Sequence, residues 1–439
     1  MHYDLVLTGG DVFTAEGCVQ TDVAVKNGKI AALGTGFSAD KVLDVAGLTV
    51  LPGVIDSQVH FREPGNEHKE DLESGTRAAA LGGVTAIFEM PNTNPSTTTP
   101  DAIADKLQRA SEKAWTDYAF FMGATADNAE NLKEWENLPG CSGVKIFMGS
   151  STGNLLVEDD RGVRNVLRNG RRRVAIHCED EARLRERFDL VKDGAPVHMH
   201  PEWRDAETAL KCTTRLLKLA REEGRRVHVL HVTTADEIEL LKDYKDIATV
   251  ECTPQHLTLS APEAYDRLGS YAQMNPPIRT QAHQDGLWHG LAAGVVDVIG
   301  SDHAPHTQEE KAQPYPKSPS GMPGVQTLVP VMLTHVNAGK LSLQRFVDLT
   351  SAGPARVYGI AGKGRIAVGY DADFTVVDMH KTKTITADWI ASKCGWTPFD
   401  GFEATAWPIH TIIRGHAVVE NEHLQGKPVG AAVRFQETL

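Results

Sequence analysis

Eight apolar runs between residues 48 and 302 constrain the fold of this chain more than any other feature. They are LTVLPGVI (48–55), VTAIFEM (84–90), DYAFFM (117–122), VKIFM (144–148), RVAIHC (173–178), RVHVLHV (226–232), IATVEC (247–252) and VVDVIGSD (295–302). Short runs this rich in Val, Ile and Phe read as strands buried on both faces. Helical stretches separate several of them, among them EDLESGTRAAALG, PDAIADKLQRASEKA, AETALKCTTRLLKLAREEG and ADEIELLKDY, with apolar residues at three- and four-residue spacing. Eight strands alternating with helices predict an α/β chain built as a (β/α)8 barrel. The active site of such a barrel lies at the carboxyl ends of its strands.

The two ends of the chain read differently. YDLVLTGGDVF, TDVAVKNGKIAALG and KVLDVAGLTVL near the start are β-rich and turn at Gly9-Gly10, Asn27-Gly28 and Gly47. GRIAVGYDADFTVVDM and HTIIRGHAVVEN near the end repeat that style. The expected organisation is a small composite β domain from residues 1–50 and 365–439, with the barrel spanning 51–364.

Composition narrows the function classes. With 41% hydrophobic and 23% charged residues the chain is ordinary globular protein. A net charge of -13 argues against a general nucleic-acid partner, and the run RRR at 171–173 reads as a solvated turn before the fifth strand. The six cysteines, with no CxxC pair, have the pattern of reduced thiols, so the expected location is the cytoplasm. No apolar run is long enough to span a membrane, and the start lacks the pattern of a signal peptide.

Chemistry concentrates at the strand ends. DSQVHFREPG follows the first run and supplies His60 and Arg62 before Pro64 and Gly65 turn the chain. His177 and His231 close the fifth and sixth strands, Lys145 lies in the fourth, and Asp302 closes the eighth. One histidine at a strand end is more often structural than a ligand; three with an aspartate, in one barrel, point to a metal. Lys145 is out of place beside a cation unless carbon dioxide has carbamylated it or an acid pairs with it. His198 and His200 have His-x-His spacing but lie in a Pro- and Gly-flanked loop, where a metal is not expected. His256 could line the pocket. His303 should face away from Asp302 and pack or hydrogen-bond behind the site. The GSSTGN and GMPGV runs lack phosphate-loop spacing; GMPGV reads as a pocket wall, and residues 306–321 read as a candidate lid.

Taken in order, DSQVHFREPG, EMPNTNP, GVKIFMGSSTGN, HCED, LHVTT, TPQHL, MNPPIR and SDHAPHT resemble the dihydroorotase branch of the cyclic amidohydrolases, relatives of hydantoinases and allantoinases. The likeness covers nearly the whole chain and includes GRIAVGYDADFTVVD. It implies a barrel with a composite β-sandwich, and zinc held by His60, carbamylated Lys145, His177, His231 and Asp302. Lys145 would be the bridge between metals, and Asp302 would also move the proton. It further implies that Arg62, Asn92 and His306 hold the substrate carboxylate and that Asn275 contacts the pyrimidine ring. The implied reaction is the reversible closure of N-carbamoyl-L-aspartate to L-dihydroorotate in pyrimidine biosynthesis, by a cytoplasmic homodimer. The family's first motif is His-x-His, and here its first position is Gln58. An amide oxygen is a poorer zinc ligand than imidazole, so one firm zinc is expected, with the second labile or absent. The alternatives are a hydantoinase- or allantoinase-type activity, and an inactive scaffold for aspartate transcarbamoylase.

Overall fold

The computed structural model describes residues 2–151, 155–192 and 194–438, so residues 152–154 of the GSSTGN run lie outside it. All eight expected barrel strands form. They are β1 (Val54–Val59), β2 (Val84–Glu89), β3 (Asp117–Gly123), β4 (Cys141–Phe147), β5 (Val174–His177), β6 (Val227–Val229), β7 (Ala248–Cys252) and β8 (Val298–Ile299). They pair in parallel in chain order, and a bridge between Val59 and His303, with His60 N–H donating to His303 O at 2.7 Å, brings the last strand end back to the first.

Alternation along the strands divides the core. Ile87, Tyr118 and Phe120 join the apolar layer under the helices, whereas Phe88, Ala119 and Phe121 point into the barrel. There they meet Tyr358 and Phe435, whose rings lie 5.3 and 5.7 Å from Phe88 in edge-on contact. Each such fully buried side chain contributes roughly 1.5–3 kcal/mol. Phe435 belongs to a carboxyl-terminal stretch that hydrogen-bonds Tyr118 near the start of β3, through Ala431 O and Val433 N. The amino ends of the strands are thereby plugged, and a site can open only at their carboxyl ends.

Helices form where caps and periodicity agree. Leu72–Leu81 starts at a reciprocal Asp71–Ser74 capping box, and Ala206–Glu223 runs from the Asp205 cap to Gly224, whose φ of +64° ends it in the left-handed region.

The flanking β structure draws on both ends of the chain. A four-stranded sheet comprises Lys29–Gly34, Asp22–Lys26, His2–Thr8 and Ser38–Asp44. In a seven-stranded sheet, Phe374–Asp378 and Trp407–Ile413 from the end lie beside Thr49–Pro52 and Asp11–Thr14 from the start. Leu5, Val12, Val23, Val50, Phe374 and Ile412 share the core of this composite sandwich.

Two expectations change. The run at 48–55 is two strands: Thr49–Pro52 belongs to the sandwich, and the barrel strand begins at Val54. Gly53 makes the switch, at a place where a Cβ would lie 2.4 Å from Thr85 Oγ1. The RRR run is a solvated turn only at Arg171, which is exposed at a bend. Arg172 is buried, donates to Cys141 O at 2.7 Å and Ser142 O at 3.0 Å, and stacks on Phe435, while Arg173 donates to Val227 O at 2.8 Å. These guanidinium groups satisfy carbonyls at the amino ends of neighbouring strands.

Candidate functional site

The carboxyl ends of β1, β4, β5, β6 and β8 bring the predicted residues together. One narrow cavity is lined by Gln58, His60, Arg62, Asn92, Lys145, His177, His231, Asn275 and Asp302, with Ser151, Ser320 and Gly321. Three of these residues other than glycine have positive φ: Arg62 at 65°, His231 at 36° and Asp302 at 45°. Such backbone costs on the order of 1–3 kcal/mol per residue and is retained where side-chain placement requires it.

The ring nitrogens have assigned tasks. His177 donates from Nε2 to Glu179 Oε2 at 2.9 Å, which leaves Nδ1 as a lone pair facing His231 Nε2 at 3.0 Å. Burial pulls the Glu179 carboxyl upward, but Arg204 and His177 outweigh it and hold it at about 2. A carboxylate behind an imidazole is the arrangement that fixes a metal-binding tautomer. His231 is neutral, its pKa driven well below the ordinary value by burial and by His177, and its Nδ1 has no hydrogen-bond partner.

A second pair stands opposite. His60 donates from Nδ1 to Asn92 Oδ1 at 2.8 Å, so its Nε2 lone pair faces Asp302 Oδ1 at 3.1 Å. Burial lowers the His60 pKa. Two acceptors at that distance call for a proton or a cation between them. Gln58 donates from Nε2 to the same Asp302 oxygen at 3.1 Å, which leaves its buried Oε1 without a partner.

Lys145 is fully buried and pairs with no acid among the described residues; its ammonium lies 4.5 Å from the centre of the Phe147 ring. Burial brings its pKa down to about 7, so a reactive neutral amine is available near neutrality. Among the described residues no three His, Cys, Asp or Glu side chains gather as an ion cage. The donors are two pairs around one lysine. Their chemistry nevertheless fits zinc: neutral imidazoles, a carboxylate and two orphaned buried polar atoms, with Lys145 able to add oxygens if carbamylated.

Arg62 forms the adjoining corner. It is 3% exposed, donates from Nε to Pro305 O at 3.1 Å, and lies 3.3 Å from His306 Nε2. Burial lowers its pKa to about 10, so it stays charged, and no carboxylate lies within ion-pair distance among the described residues. Arg62 and Asn92 also line a larger polar vestibule of about 650 Å³ with Asn66, Lys69, Asn94 and Thr98.

The other histidines have structural partners. His198 is exposed and pairs with Asp266 at 2.7 Å, while buried His200 lies 3.1 Å from Asn275 Oδ1 and so orients that residue. His256 bonds Thr253 Oγ1 and Pro276 O, and His303 accepts from Gly324 N–H behind Asp302, as its strand alternation requires. Gly321 of GMPGV does line the cavity. The segment 306–321 is anchored: Lys311 donates to Gln273 O, Pro319 O and Gly321 O, and Trp396 Nε1 to His306 O. Sequence reasoning missed Lys69, Lys311, Glu179 and Arg204. Only Glu179 carried a local signal, its place two residues past His177.

Residues 49–418 match the model of the amidohydrolase family. The chain is 36% identical over 424 residues to a dihydroorotase of Methanosarcina mazei, covering 93% of this chain and 92% of that protein. It is also 36% identical over 417 residues to a dihydroorotase of Halobacterium salinarum, covering 94% and 96%. The fold superposes on an L-hydantoinase (dihydropyrimidinase) from Arthrobacter aurescens with a TM-score of 0.93 at 28% identity, covering 98% of this chain and 99% of that one. With a matching family model over most of its length and relatives of this similarity, the chain belongs to the amidohydrolase family.

Proposed function

We propose that the chain is a zinc-dependent dihydroorotase that interconverts N-carbamoyl-L-aspartate and L-dihydroorotate in pyrimidine biosynthesis. The observation that carries this reading is Arg62, a buried guanidinium that pairs with no carboxylate among the described residues, at the mouth of the cavity. A buried cation of this kind is costly until an anion meets it. Dihydroorotate brings a carboxylate, whereas the rings of hydantoin and dihydrouracil do not, which favours this reading over the hydantoinase activity of the structural relative.

His177, His231 and Lys145 would hold the firm zinc, with Lys145 carbamylated: its neutral nitrogen bonds to the carbon of carbon dioxide and loses a proton. His60 and Asp302, with Gln58 in place of an imidazole, would hold a second ion weakly. Zinc held by these residues would supply Lewis acidity, lowering the pKa of a water and polarising the ring carbonyl. Arg62, Asn92 and His306 bind the substrate carboxylate, and Asn275 orients the ring. Asp302 receives Gln58 Nε2–H on Oδ1, which leaves Oδ2 to take the proton of the attacking water and return it to the ring nitrogen as the C–N bond breaks. Ring closure reverses those steps. The family resemblance extends the proposal to a cytoplasmic homodimer able to associate with aspartate transcarbamoylase. Six unpaired cysteines agree with a reducing compartment.

Arg62→Ala tests the reading. Its kcat/KM for L-dihydroorotate should fall roughly a hundredfold or more, the scale of a lost charge-assisted pair, while the melting temperature changes little. Equal activity in variant and parent would refute the assignment.

A further inference from the structure

Lys69 lies outside the zinc-binding and carboxylate-binding sets, 237 residues from His306 in the chain, yet its Nζ is 3.1 Å from His306 Nδ1. The same ammonium pairs with Glu310 at 2.9 Å, and Glu310 is itself fixed by a capping box with Thr307. Lys69 is largely buried, its side chain 15% exposed, and it lines the vestibule beside Arg62.

These contacts settle where the imidazole hydrogen sits. An ammonium only donates, so His306 Nδ1 must accept from it and carry no hydrogen. Nε2 then bears the hydrogen and donates it to Ser320 O at 3.0 Å, which favours the same tautomer, with Arg62 Nη2 at 3.3 Å. Arg62 Nη2 and His306 Nε2 are two donors side by side, and an anion placed between them shares the Nε2 hydrogen with Ser320 O. Without Lys69 only Ser320 O holds the hydrogen on Nε2, and Nδ1 is opened to the competing form, with Glu310 Oε2 at 3.8 Å. Nε2 would then turn a lone pair on the same anion and accept from Arg62.

We propose that Lys69 is a positioning residue for substrate recognition: it locks His306 in the Nε2–H tautomer and so sets the preference for a carboxylated ring. The inference rests on the dihydroorotase reading and adds a determinant that acts through His306. Removing Lys69 weakens binding of the carboxylate and leaves the zinc-facing residues in place.

The test measures the affinity of the zinc-loaded protein for L-dihydroorotate and for 5,6-dihydrouracil, the same ring without the carboxylate, in the parent, Lys69→Met and Lys69→Arg. Histidine-selective nitrogen NMR, with the His306 signal assigned by its loss in His306→Gln, reads the tautomer directly. Lys69→Met should lose roughly ten- to a hundredfold of the preference for dihydroorotate, the scale of a charge-assisted contact, and Lys69→Arg should regain most of it. The parent His306 should show the Nε2–H form. A parent signal of the Nδ1–H form overturns the proposal even if Lys69→Met does not fold, and so does an unchanged preference in folded Lys69→Met. A parent with no preference for the carboxylated ring overturns the dihydroorotase reading instead, and the shift of the His306 signal from the Nε2–H form in the parent towards the Nδ1–H form in Lys69→Met then decides the tautomer role of Lys69 separately.

Discussion

Gln58 stands one strand-face step from His60, where the resemblance places a second imidazole. Its amide gives Nε2–H to Asp302 and leaves Oε1 orphaned, so its donor end serves the carboxylate. To ligate zinc the amide would have to turn its oxygen inward and give up that bond, and the oxygen remains a weaker ligand than a ring nitrogen. Gln58→His should therefore raise the zinc content after metal loading and desalting from about one per chain towards about two. Equal content in parent and variant would contradict this account of Gln58. The residue identities were legible because His60, His177, His231 and Asp302 fall at the ends of apolar runs and Lys145 interrupts one. The tautomers were not, since they depend on Asn92 and Lys69, which reach the rings from other segments, and on the turn that brings Glu179 back onto His177.

The barrel strands were legible as elements because burial on both faces leaves an unbroken apolar signature. The same signature hid the junction at Gly53, where one apolar run serves two sheets without a polar break. Arg172 and Lys311 defeat sequence reading for a related reason: a charged residue suggests solvent, while these two are buried on carbonyl groups that only the fold brings together. Lys311 ties three such carbonyls and fastens the segment that carries His306 and Gly321. Replacing it by Met removes the donor from Pro319 O and Gly321 O, while Gln273 O keeps the Gly321 N–H, and Lys311→Met should lower unfolding stability by roughly 2–3 kcal/mol in denaturant titration. A loss below about 0.5 kcal/mol, the range of ordinary surface changes, would show that the segment does not depend on this anchor.

At the scale of the molecule, the chain closes one end of its barrel with its own carboxyl-terminal residues and turns His60, Lys145, His177, His231 and Asp302 to the other. The composite sandwich follows from this topology, since its seven-stranded sheet is complete only when the start and end of the chain meet. The resulting cavity combines a metal-type donor set with a buried cation, and that combination is the physical content of the dihydroorotase assignment. Turnover of L-dihydroorotate by zinc-loaded protein, with hydantoin and 5,6-dihydrouracil in parallel and a chelated sample as control, tests it most directly. The account predicts turnover of dihydroorotate, abolished by chelation and far above that of the two rings without a carboxylate. Turnover of hydantoin or dihydrouracil in preference, or silence on all three from folded, metal-loaded protein, would contradict it.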